Sequence, residues 1–151
     1  MGEKLIANNK RAYHDYYIDD TWEAGLVLTG TEVKSLRDGK ASLQEAFCRI
    51  KDGEVFINNM TIPEYEQGNR ENHDPTRVRK LLLHHEEIAK LIKGTEIKGL
   101  SLVPTRLYFK GGRAKIEIAL GRGKKHYDKR ETLKSQQAKR EVARELKHYN
   151  R

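Results

Sequence analysis

The chain has 151 residues, the length of one domain able to bury a sizeable core. It carries 30 Lys and Arg against 22 Asp and Glu, with a pI near 9.5, a balance that points to a polyanionic partner. No run approaches the roughly 20 apolar residues that a bilayer span needs, so nucleic acid is favoured over membrane. Met1-Gly2-Glu3-Lys4-Leu5-Ile6 has no apolar signal core, and Ile6 breaks the myristoylation pattern. Cys48 is the single cysteine, which excludes an internal disulfide, argues against a Cys-based zinc site and fits a cytoplasmic protein.

In chain order, Asn9-Lys10-Arg11-Ala12-Tyr13-His14-Asp15-Tyr16 interleaves amide and basic groups with aromatics. Tyr13, Tyr16 and Tyr17 cannot share one strand face, so at least one turns outward. Tyr16 with Ile18 reads as a short strand, and Trp22, Ala24, Leu26 and Leu28 form one face of another, with Glu23, Val27 and Thr29 opposite. Thr31–Leu36 reads as a helix with Thr31 as N-cap and Gly39 as stop. Asp52-Gly53 joins the strand of Ala46, Cys48 and Ile50 to that of Val55 and Ile57 as a hairpin. Glu64–Asp74 lacks either period and reads as a surface loop. His85–Lys93 is helical before Gly94, and Pro104 marks an edge position or a strand break. Gly111-Gly112 makes a second hairpin between Leu107–Lys110 and Arg113–Leu120, where Ala114, Ile116, Ile118 and Leu120 share a face. Many short strands with a few helices predict a mainly β fold. The best match is a small closed OB-like β-barrel over residues 1–121 with two or three short helices.

Residues 122–151 differ in kind. They hold eleven Lys and Arg and four acids, a net of +7, whereas residues 1–121 hold 19 bases and 18 acids. Ala138, Val142, Leu146 and Tyr149 make only a thin helical stripe, and Arg140 repels Arg144. A basic tail is expected, disordered when free and helical once its charges are neutralised.

No motif carries catalysis. His84-His85-Glu86-Glu87 lacks the spacing that puts two histidines on one helix face, so no metal site is expected. His14-Asp15 has no nearby nucleophile, and Gly121 to Lys125 fails the phosphate-loop pattern at both ends, so Gly121 and Gly123 read as a strand end and a loosened tail start. Arg77-Val78-Arg79-Lys80-Leu81-Leu82-Leu83 brings three cations to an apolar stretch, and two readings stay open. One is a strand edge with solvated charges. The other sets Arg77, Arg79 and Lys80 on phosphates and an exposed Leu against an unstacked base. Glu23 and Glu32 either lower surface charge or accept bonds from a guanine or cytosine amino group.

Several stretches together resemble the SmpB family, the SsrA-binding proteins of bacterial trans-translation. They are Asn9–Tyr16, Glu23-Ala24-Gly25, Gly30-Thr31-Glu32-Val33-Lys34-Ser35-Leu36-Arg37, Asp74–Leu83 and Gly123-Lys124-Lys125-His126-Tyr127-Asp128-Lys129-Arg130. The resemblance implies an OB barrel that cradles the tRNA-like domain of transfer-messenger RNA (tmRNA) at the elbow of its D- and T-loops. It implies that Asn9, Glu23 and Leu82 hold that RNA and that Lys10, Lys34, Arg37, Arg79 and Lys80 meet phosphates. It further implies that the tail, through Lys124, Lys125, Tyr127, Asp128, Lys129 and Arg130, enters the empty mRNA channel of a stalled ribosome at the small-subunit decoding centre. No cofactor, DNA partner or membrane is expected, and the protein is expected to be a non-enzymatic monomer. The alternatives are a generic single-strand RNA binder of the OB type and a barrel nuclease, which would need clustered acids or an activated nucleophile.

Overall fold

A computed structural model describes residues 3–67, 72–97 and 99–124. Strand β1 (Glu3–Asn8) leads into a short helix α1 (Lys10–Asp15), which runs directly into the long strand β2 (Tyr16–Leu26). Helix α2 (Gly30–Arg37) precedes the hairpin of β3 (Phe47–Lys51) and β4 (Glu54–Asn58). Strand β5 (Arg79–Leu82), helix α3 (His85–Glu96), β6 (Leu100–Lys110) and β7 (Arg113–Gly123) complete the order. Neither β1 nor α1 carries a signal long enough to read from sequence, and α1 has no side-chain cap.

The seven strands form one antiparallel sheet in the order β1-β6-β7-β2-β5-β4-β3. Both hairpins fall where the glycines place them, with positive φ at Asp52 and Gly53 and at Gly111 and Gly112, as the tightest reversals require. Three bulges coil the sheet, at Ile6 in β1, Asp19 in β2 and Thr105 in β6. The extra residue in β2 exchanges its faces. Trp22 and Ala24 point into the main core, whereas Tyr16 and Ile18 pack outside it with Ala12, Val103 and Ala119. Two segments that read as separate strands are therefore one strand with a shifted parity.

The expectation of a closed barrel is corrected at one seam. Among the described residues no ladder joins β3 to β6 or β1, so hydrogen bonds do not close the sheet. Phe47–Ile50 and Leu100–Val103 instead line a cleft of about 450 Å³ between the two edges. Strand β1 covers only the Arg106–Lys110 end of β6. Pro104 lies just past that cover, inside β6. Its carbonyl faces the β1 side, where the Asn9 amide donates to it at 2.8 Å, so the missing N–H costs the β6–β7 ladder nothing.

The helix ends also differ from expectation. Thr29, not Thr31, caps α2: its hydroxyl accepts from the Glu32 N–H, and the Glu32 carboxylate accepts from the Thr29 N–H at 2.8 Å. Helix α3 runs through Gly94, which is buried against Leu120. Gly121 does not end a strand. It sits inside β7, where a Cβ would stand 2.9 Å from Tyr16 Cβ. Gly121→Ala is expected to lower the unfolding free energy by about 1–3 kcal/mol, read as a shifted urea midpoint with unchanged slope.

Candidate nucleic-acid interface

Away from the apolar cluster under α1, the outward faces of β6, β7, β2 and β5 carry polar side chains. Period-two alternation beyond the Thr105 bulge sets Tyr108 and Lys110 on the face opposite the core while Leu107 and Phe109 face it, and Tyr108 is itself buried on that face, only 1% exposed. Glu23 projects from β2 on the same side. Its Oε2 accepts from the Tyr108 hydroxyl at 2.6 Å and from Lys110 Nζ at 3.3 Å. The Tyr108 bond is the chief reason that the Glu23 carboxyl lies below its ordinary range; partial burial opposes it, and Lys110 and Lys115 assist. Burial and the Glu23 charge push the Tyr108 hydroxyl up in turn. Arg106 lies over the Tyr108 ring at 4.5 Å and is itself held by Glu3 at 2.8 Å and Glu117 at 3.4 Å. The result is an ionised, oriented carboxylate ringed by cations. Both of its protein bonds fall on Oε2, so among the described residues Oε1 is open to a ligand.

Beside this carboxylate stands Leu82, opposite Gly25 in the β2–β5 ladder and 52% exposed. An apolar side chain held out from a strand offers a surface to an unstacked base. Lys80 shares its face two residues earlier and pairs with Glu54 at 3.1 Å.

The other sequence candidates separate into groups. Glu32 and Arg79 have no exposed surface and cannot touch an RNA directly. Glu32 Oε2 accepts from Arg79 Nε at 2.5 Å and Oε1 from Arg77 Nη2 at 2.6 Å, while Arg79 Nη1 donates to the Met60 carbonyl at 2.6 Å. Burial alone would raise the Glu32 carboxyl, yet the bonds from Arg77, the Thr29 N–H and Arg79 outweigh it and hold its pKa at about 2. Next to this knot the buried His73 donates from Nε2 to the Ile62 carbonyl at 2.7 Å and meets the Thr31 hydroxyl at 2.9 Å. These groups lock α2 to the Glu64–Asp74 loop and to β5. They shape the frame from behind, and Arg77, one third exposed, is mostly committed to it.

Asn9 is also largely buried. Its amide donates to the Pro104 carbonyl, while its Oδ1 is buried with no hydrogen-bond partner among the described residues. Lys10 opens α1 and lines a hollow with Ser42 and Gln44. Lys34 and Arg37 are exposed on α2, with Lys34 Nζ 5.8 Å from the Tyr65 ring centre. Lys124 is tied to the body: its N–H donates to the Asp15 carbonyl at 2.7 Å and its Nζ to the Tyr13 carbonyl at 2.9 Å, 5.0 Å from the Tyr17 ring centre. Lys125, Tyr127, Asp128, Lys129 and Arg130 lie outside the described residues, as does the rest of the expected tail. Arg106, Tyr108 and Lys110 were missed from sequence, although their basic–aromatic–basic alternation after Pro104 is a readable signal. No described helix is long and apolar enough to cross a membrane, and no described group of three or more His, Cys, Asp or Glu could hold a metal.

Comparison with known proteins converges on one family. A family model described as SmpB protein matches residues 6–148. A protein of Syntrophotalea carbinolica named SsrA-binding protein is 65% identical over 147 residues, covering 97% of this chain and 98% of its own. One of the same name from Geobacter sulfurreducens is 58% identical, covering 97% and 96%. A solved chain described as "tmRNA-SmpB: a journey to the center of the bacterial ribosome" superposes with a TM-score of 0.66 at 51% identity, over 78% of this chain and 82% of that one.

Proposed function

Since the chain belongs to the SmpB family, we propose that it binds the tRNA-like domain of tmRNA and carries it to stalled ribosomes in trans-translation. It binds RNA as its relatives' name, SsrA-binding protein, describes, and its partners are tmRNA and the ribosome. The observation that carries the placement of the grip is the Glu23 carboxylate, ionised and fixed by Tyr108 next to the exposed Leu82. A carboxylate accepts from an exocyclic amino group of a base, which cations cannot do, and RNA loops present such unstacked edges. Lys80, Lys110 and Lys115 on the same surface supply phosphate contacts, which give affinity without sequence readout. Asn9 contributes its unpaired acceptor, and Lys10, Lys34 and Arg37 add positive charge at the α1 and α2 end.

The coiled sheet is read as an OB-like barrel left open at the β3–β6 seam. Residues beyond Lys124 form a separate basic arm that probes the vacant mRNA channel and decoding centre. The protein works by binding alone, without turnover, in the cytoplasm where ribosomes are.

Glu23→Ala tests this reading. Affinity for the tRNA-like domain is expected to fall about ten- to a hundredfold, in line with the discrimination that one good base contact provides. Affinity for an unrelated hairpin RNA should change by less than threefold. Equal losses on both RNAs would point instead to a generic single-strand binder.

A further inference from the structure

The sheet's outward surface does not stop at Leu82. Continuing across the ladder, Lys80 of β5 stands opposite Phe56 of β4, and Phe56 stands opposite Arg49 of β3. The row therefore reads cation, aromatic, cation on three neighbouring strands. Phe56 and Arg49, together with Ile50, Lys51, Asn58 and Val78, line an open hollow of about 480 Å³, within the range of small-ligand clefts.

Three features make this hollow more than a solvated strand face. Arg49 and Lys51 are exposed and form no ion pair among the described residues, and the local acid, Glu54, is already held by Lys80. Val78 is 50% exposed, an apolar wall for which folding alone gives no reason. Asn58 Nδ2 is buried without a hydrogen-bond partner among the described residues. Such a group costs stability unless something accepts from it. A half-buried ring flanked by cations, with an idle amide donor at its edge, is what an unpaired nucleotide requires: a π-face to stack on, charge for its phosphate, and a donor for a base carbonyl or ring nitrogen.

We propose that the Phe56 hollow is a stacking subsite for one unpaired nucleotide of the same tmRNA that Glu23 and Leu82 hold. The commitment to that RNA follows from continuity, because Lys80 and Leu82 lie two residues apart on one face of β5. The inference rests on the tmRNA reading. In it, Phe56 stacks on the base, Arg49 and Lys51 flank its phosphate, and Asn58 donates to its edge.

The test titrates the full chain with the tRNA-like domain at several salt concentrations. Phe56→Leu keeps apolar bulk but removes the ring, and should weaken binding about tenfold. Arg49→Gln and Lys51→Gln should each flatten the salt dependence by about one phosphate contact. Thermal unfolding of each variant separates binding from folding. If Phe56→Leu unfolds early, the two exposed cations carry the decision. Unchanged affinity and slope in all three variants, with Glu23→Ala still impaired, would overturn the subsite and leave the main reading intact. Normal RNA binding by Glu23→Ala as well would sink the reading itself. Variants that bind tmRNA normally but lose ribosome affinity would assign the hollow to another RNA and equally overturn the proposal.

Discussion

Glu32→Ala is expected to destabilise the fold by about 3–5 kcal/mol, the usual cost of leaving a buried ionic partner unpaired. The charge left behind is Arg79, which has no exposed surface and keeps only backbone carbonyls around its guanidinium. The same change removes half of the α2 capping box and the main anchor of Arg77. Urea unfolding followed by circular dichroism measures the loss directly. Replacing Glu32 and Arg79 together by apolar residues of similar size should cost much less, because no lone charge then remains in the core. If the single and double variants were equally damaged, packing volume rather than charge would dominate the knot.

The same carboxylate gives the fold an acid limit. Its pKa is held at about 2 in the folded chain against an ordinary 4.5, so the folded state favours the ionised form. Its contribution is complete above pH 4.5 and disappears as pH falls towards 2. Stability should therefore drop across that interval in the wild type. Glu32→Gln, which cannot titrate, should lack that part of the slope.

Much of this was legible in the sequence, and what was not has a physical cause in each case. Asp52-Gly53 and Gly111-Gly112 announced their hairpins because only left-handed backbone closes so short a turn. The inward run of Ile116, Ile118 and Leu120 showed its period plainly. Bulges defeat that period: Tyr16 and Trp22 share a parity yet face opposite ways, since Asp19 is inserted between them. Open closure at β3 is likewise a matter of where strand edges meet, which residue types do not encode. Glu32 and Arg79 illustrate a different limit. As charges in a basic chain they resembled ligands for RNA, but a separation of 47 residues hides that they meet in the core. One local clue existed, because Thr29 and Glu32 have the spacing of a capping box. Glu23 is a candidate through its family motif alone, while its bond to Tyr108, 85 residues away, is visible only in the fold.

The proposed division of labour between body and tail is tested by a cut placed where the chain is last anchored. Strand β7 continues to Gly123, and Lys124 is fastened to the carbonyls at the end of α1. The described chain is anchored through Lys124, two residues past the change in charge at residue 122, so a cut after Lys124 leaves every anchored group in place. Residues 125–151 carry nine bases and four acids, so their removal takes the net charge from +8 to +3. Lost charge weakens all RNA binding somewhat through counterion release. It removes none of the groups around Glu23 and Leu82. At about 0.15 M salt, where exposed charges act over only about 8 Å, the truncated chain should keep its affinity for the tRNA-like domain within about tenfold.

The decisive measurement pairs two readouts on one protein cut after Lys124: affinity for the tRNA-like domain, and tagging of peptides on ribosomes stalled without a codon. Near-normal RNA affinity with tagging abolished is the expected result. Loss of RNA binding on truncation, with the body still folded, would contradict the account by placing the grip in the tail.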